Sequence, residues 1–184
     1  MSRSAAIAAV ATVLAAVAVS PASGASTRAE YVAEAEPICK RAAKKAAKSF
    51  RGIKFARAID RIIEGRFEKF LRVLAKVTGR TNKPLGKMVK RLYSIVPPPG
   101  DEVRVAQWLD RLGDSKRLTD RYVRSTFARK YKRASRFQVD SIKALVGGAR
   151  FVNGWGFENC PGGEVITEDF EDLVLARSLR WWRR

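Results

Sequence analysis

Residues 31–48 read YVAEAEPICKRAAKKAAK, and residues 154–163 read GWGFENCPGG. The first stretch has helical spacing and the second is glycine-rich. Each carries one of the chain's 2 cysteines, Cys39 and Cys160. Tyr31, Ala35, Ile38, Ala42 and Ala46 recur at steps of three and four and form one apolar stripe, with Cys39 at or beside it. A cysteine there, and a second one 121 positions later in a glycine-rich loop, are placed to staple a late segment onto an early helix. Two readings of the pair stand at this point: a disulfide, or two buried thiols. The disulfide is favoured if the chain is exported. In the chain-entropy model so long a closure contributes roughly 4 to 5 kcal/mol.

The N-terminus bears on export. Arg3 precedes an apolar run from Ala5 to Val19, and SPASGA then ends in small residues, with Ser23 and Ala25 at the −3 and −1 positions of a signal-peptidase site. The rival reading is a retained anchor. The run is Ala-rich and shorter than the roughly 20 residues of a spanning helix, which favours a cleaved signal over residues 1–25. This predicts a secreted or extracytoplasmic protein. No cysteine follows the apolar run to accept a lipid, and MSRS lacks a twin arginine.

Beyond the signal, the pattern is helical. Thr27 and Glu30 form a T-x-x-E capping box for a helix running to about Phe50, with Pro37 as a kink or a second start. Ile59, Ile63, Phe67, Phe70, Leu74 and Val77 mark a second helix that Gly79 is expected to stop. Asn82 then caps a shorter helix, with Pro84 in its first turn and Leu85, Met88, Val89, Leu92 and Val96 inward. The segment PPPG, Pro97 to Gly100, is a rigid connector. Asp101 opens the next helix, with Val105, Trp108, Leu109 and Leu112 apolar and a break at Gly113–Asp114. The pattern resumes at about Ser115 and runs to about Val146, with Leu118, Tyr122, Phe127, Tyr131, Ala134, Ile142 and Leu145 inward. Gly147 and Gly148 stop it. Thr167 caps a final amphipathic helix ending in RSLRWWRR. No alternating pattern of useful length occurs. The expectation is an all-α, disulfide-linked helical bundle over residues 26–163, with a Gly-rich loop and a C-terminal helix or tail over residues 164–184.

The chemistry is defined partly by what is missing. There are 0 histidines, which removes histidine-based nucleophilic pairs, most zinc hydrolases and histidine pH switching. No phosphate-loop, dinucleotide-binding or nucleophile-elbow motif occurs, and no cofactor or metal is expected. Paired carboxylates acting on envelope glycans are the enzymatic alternative, but no spacing among the acids singles out a pair. The basic residues carry more information: 37 Lys and Arg stand against 18 Asp and Glu, for a formal net charge of +19. They come in runs free of acids. One, between Glu36 and Asp60, holds Lys40, Arg41, Lys44, Lys45 and Lys48; a second, between Glu68 and Asp101, includes Lys83, Lys87, Lys90 and Arg91; a third, between Asp120 and Asp140, holds Arg124, Arg129, Lys130, Lys132 and Arg133. These are candidate anion-binding faces for an envelope polymer, lipid head groups or an acidic protein, with nucleic acid less favoured. The competing reading is a solvated surface typical of a basic, Arg- and Ala-rich proteome. Trp181, Trp182, Arg183 and Arg184 suit a membrane interface, or alternatively a docked helix end.

TRAEYVAEAEPICKRA, IVPPPGDEVRVAQWLDRL and GFENC together resemble a group of uncharacterised exported proteins of actinobacteria. In that group a helix carrying a cysteine opens the mature domain, a Pro-rich turn lies midway and a glycine-to-cysteine segment closes it. The matching positions here are Cys39, Pro97 to Asp101, Gly156 and Cys160. Many members look like lipoproteins, and this chain departs there. The resemblance implies a disulfide-linked helical domain outside the membrane and brings no activity.

Overall fold

The computed structural model describes residues 27–50 and 67–161. The expected signal peptide, the first half of the expected second helix and the C-terminal segment with Trp181, Trp182, Arg183 and Arg184 lie outside the described residues. Among the described residues there are four α-helices, one 3-10 turn and no strand. They are α1 (Arg28–Phe50), α2 (Phe67–Leu92), α3 (Glu102–Phe127) and α4 (Tyr131–Ala149), followed by the turn Arg150–Val152. The all-α bundle expected from the sequence is present.

Consecutive helices pack side by side and antiparallel. Tyr31 and Ala35 of α1 share a core with Leu92 of α2 and with Val105 and Trp108 of α3. At the other end Ala75 of α2 meets Tyr122 of α3 and Ala134 of α4. Between them, Asn82 of α2 lies level with Lys116 of α3, and Ser115 of α3 lies level with Ser141 of α4. The bundle therefore has two ends. One holds the starts of α1 and α3 and the end of α4. The other holds the start of α2 and the turn joining α3 to α4.

The capping box at the start of α1 is formed: Glu30 N–H donates to Thr27 Oγ1 at 3.2 Å, and Thr27 N–H donates to Glu30 Oε2 at 2.9 Å. α1 continues through Pro37, whose side of the helix faces solvent. Gly79 does not stop α2, and Asn82 does not cap a new helix. α2 runs straight through Gly79, Asn82 and Pro84 because its inner face stays in register with α3 on both sides of them. A Cβ at Gly79 would sit 3.5 Å from Val123, an ordinary contact. Asn82 is buried, and its Nδ2 donates to the Lys116 carbonyl at 3.0 Å and to Asp120 Oδ1 at 2.7 Å. Val96, expected inward, is 59% exposed just past the end of α2.

The expected break at Gly113–Asp114 is also absent. Leu112 and Ser115 on either side are buried, so the helix that begins at Glu102 gains by continuing. The break occurs instead at residues 128–130. There Arg129 N–H donates to the Thr126 carbonyl at 3.1 Å and Lys130 N–H to the Ser125 carbonyl at 2.9 Å. That pair of bonds is a Schellman motif with Arg129 at the left-handed position, φ 58°. α4 then runs through Gly147 and Gly148. Its seam with α3 is built from small groups. Ser141 Oγ donates to the Ser115 carbonyl at 3.0 Å and lies 3.1 Å and 2.7 Å from the Ser115 and Thr119 hydroxyls. Since its one proton serves the carbonyl, it accepts from both hydroxyls.

Candidate functional site

Cys39 and Cys160 are joined in a disulfide, with their Cα atoms 4.9 Å apart. Both are buried. Three further contacts hold the Gly-rich segment to the same end of the bundle. Glu36, one turn before Cys39, accepts N–H donors from Glu158 at 2.7 Å and Asn159 at 3.0 Å, together with the Asn159 side-chain amide at 2.9 Å. Burial pushes its carboxyl upward. The backbone and side-chain N–H groups of Asn159, with those of Glu158 and Cys160, outweigh that and hold it below the usual glutamate value. Trp108 Nε1 donates to the Pro161 carbonyl at 2.8 Å. Finally, the Phe157 ring stacks on Trp108 with centroids 5.2 Å apart, and Tyr31 meets the edges of Trp155 and Phe157.

Arg28 ties this clasp to α3. Its guanidinium bonds both oxygens of the buried Asp101, at 2.6 and 2.8 Å, and lies 5.1 Å from the Trp155 ring centre. The hydrogen bond to Arg28 lowers the Asp101 carboxyl below its usual value. Asp101 sits at the N-cap position but makes no side-chain cap, because its oxygens are committed to Arg28. Gly154 and Gly156, at φ 77° and 85°, supply the left-handed turns that let Trp155 and Phe157 point inward together. All these residues bind the protein to itself. Glu36, Asp101 and Asp120 are each engaged by donors or cations of the bundle, and among the described residues no group of three or more acids or cysteines converges on a metal-sized site.

The opposite end is different. Between Asp120 and Asp140 the chain has no acid and seven cations: Arg121, Arg124, Arg129, Lys130, Lys132, Arg133 and Arg136. All seven are exposed, and none makes an ion pair among the described residues. Arg121 and Arg133 lie over the Phe137 ring, 5.8 and 5.5 Å from its centre, so part of their charge is spent locally. Arg124, Arg129, Lys130 and Lys132 have no such contact. Exposed Lys69, Lys76 and Arg80 on α2 belong to this end as well, since Ala75 packs against Tyr122 and Ala134. Glu30, Glu34, Glu36, Asp101, Glu102, Asp110 and Glu158 lie toward the disulfide end, together with exposed Lys87, Lys90, Arg91 and Arg104, and Glu68 is an exposed acid at the start of α2.

Of the expected site residues, Arg124, Arg129, Lys130, Lys132 and Arg133 are brought together around the α3–α4 turn. Lys40, Arg41, Lys44, Lys45 and Lys48 form a separate exposed stripe on α1, on the side away from Tyr31, Ala35 and Cys39. α1 packs against α2 rather than against α3 or α4 along its length, so the two basic groups sit on non-neighbouring helices. Phe127 is the largest departure at this site. Its spacing places it with the inner residues, but it is 50% exposed at the last position of α3. The signal that marks it is its distance from Tyr122: five residues turn it off the buried face.

No protein family, curated protein or solved structure matches this chain. Among the described residues no helix is long and apolar enough to cross a membrane.

Proposed function

We propose that this is an exported, non-catalytic helical module that attaches to an anionic component of the cell envelope, or to an acidic partner, through its basic end. One observation carries the reading. Seven exposed cations, none in an ion pair among the described residues, lie on the acid-free stretch between Asp120 and Asp140 that holds the α3–α4 turn. Elsewhere on α3 cations do meet carboxylates, as in Lys116–Asp120 and Arg117–Asp114. Unneutralised cations grouped at one end raise the local potential and steer anionic partners toward that end.

The compartment belongs to the same proposal. A disulfide is the chemistry of oxidising compartments, and the N-terminal segment has the charge, apolar run and small residues of an export signal. The likeness to exported actinobacterial proteins rests on the same two cysteines and is part of this reading. The test is retention on an immobilised polyanion, such as polyphosphate, across a salt series. Binding at low salt that weakens steeply as salt rises, and that Lys130→Glu with Lys132→Glu reduces, supports attachment through the turn. Failure to bind at any ionic strength removes it.

A further inference from the structure

From the geometry of the α3–α4 turn we infer that the anionic partner is the surface of a phospholipid bilayer, with Phe127 as the residue that enters it. The inference rests on the proposed attachment through the basic end and narrows its partner. A soluble polyanion needs only charge. This turn offers charge arranged around an apolar projection. Phe127 ends α3 with half its surface in water. Arg124 lies one turn before it on the same face, Arg129 and Lys130 form the turn, and Lys132 opens α4. An exposed aromatic side chain with exposed cations before and after it in the chain matches the membrane interface, where apolar groups settle at the head-group boundary and Lys and Arg meet phosphate.

The backbone supplies a second, independent observation. Arg129 holds φ 58°, a conformation costly for a side chain with a Cβ and ordinarily filled by glycine. The hydrogen bonds of the turn would form equally well around glycine. Arginine at that position places an exposed cation in the turn two residues after Phe127. The ends of the two helices make the same point. Lys130 occupies the N-cap of α4 with no side-chain hydrogen bond to its first turn, where serine or aspartate would bond the free N–H groups. The turn uses cations where local stability favours other residues.

The experiment is cosedimentation of the full chain with vesicles, comparing an equal mixture of phosphatidylglycerol and phosphatidylcholine with phosphatidylcholine alone. Soluble polyphosphate serves as the apolar-free polyanion. The variants are Phe127→Ser and Arg129→Gly, both at exposed positions, with folding checked by circular dichroism. We expect binding to the anionic vesicles and not to the neutral ones. Phe127→Ser should weaken vesicle binding about tenfold, the effect of moving part of a ring back into water. Its affinity for polyphosphate should stay unchanged. Arg129→Gly should weaken both partners while leaving the fold at least as stable. If Phe127→Ser binds vesicles as the parent does, the bilayer inference is overturned and attachment to a polyanion stands. If the parent binds neither vesicles nor polyphosphate, both fall.

Discussion

Gly147→Ala and Gly148→Ala exchange the same atoms at adjacent positions of α4, and the structure assigns them opposite effects. A methyl group at Gly147 meets nothing within 4 Å. The substitution then reports helix propensity alone, a gain of about 0.5–1 kcal/mol this close to a helix end. A methyl at Gly148 would lie 2.8 Å from Cβ of Arg111 and 3.5 Å from the Trp108 carbonyl oxygen. The Arg111 Cβ is fixed to the α3 backbone, so relief requires α3 and α4 to part by roughly half an ångström or more. Parting them strains the bonds of 2.7 to 3.1 Å among Ser115, Thr119 and Ser141 that close the same seam. Overpacking of this kind costs about 1–3 kcal/mol, against a propensity gain of about 1 kcal/mol. Gly148→Ala is therefore expected to be neutral to destabilising by about 2 kcal/mol, and the two variants to differ by about 1–3 kcal/mol. Urea and thermal denaturation followed at 222 nm measure both. A further substitution isolates the cause. Arg111→Gly removes the opposing Cβ, so the Arg111→Gly, Gly148→Ala pair should be more stable than the sum of its parts, whereas Arg111→Ala keeps the clash and gives no rescue. Equal stabilisation by both glycine substitutions would refute the close approach of α3 and α4.

Three other outcomes follow from the same structure. Replacing Cys39 and Cys160 by serine removes a closure spanning 121 positions and should lower stability by about 5 kcal/mol in the chain-entropy model; a loss below about 1 kcal/mol, measured by urea denaturation against the oxidised parent, would show that Glu36 and the aromatic cluster close the loop unaided. The Glu36 carboxyl is held below its ordinary value, so its contribution is full above about pH 5 and disappears as pH falls through the folded value. Glu36→Gln should thus lower the melting temperature more at pH 7 than at pH 3, and a pH-independent difference would count against the amide clasp. Arg129→Gly removes a left-handed penalty and should stabilise by about 1 kcal/mol in chemical denaturation; destabilisation would mean that the arginine side chain supports the turn.

Much of the bundle could be read from spacing. The Thr27–Glu30 capping box, the Tyr31–Ala35–Cys39 face, and the Val105, Trp108, Leu109 and Leu112 face of α3 all appear as expected, because apolar periodicity and caps are local properties. Apart from Val96 and Phe127, which are exposed where their spacing placed them inward, the errors fall at glycine, proline and asparagine inside helices. Gly79, Asn82, Pro84, Gly113, Gly147 and Gly148 all read as stops or starts, yet all lie within helices. Their propensity costs of about 1 to 3 kcal/mol are overridden by a neighbouring helix that buries the residues on both sides. The one unexpected interruption among the described residues, at residues 128–130, has no glycine to announce it. At the candidate site the cations were visible as an acid-free run, but their shared end with α2 and the outward turn of Phe127 depend on packing.

The amino-acid sequence alone determined that this chain is helical, basic and able to close a long loop through its two cysteines, since periodicity, charge and cysteine count survive without knowledge of neighbours. Only the tertiary structure decided where helices continue through poor formers, which acids are consumed by Arg28, Asn159 and Lys116, and which cations make no ion pair among the described residues. Those outcomes depend on what each side chain meets across the bundle. Burial and pairing energies between distant residues there exceed the local preferences that a linear reading can weigh.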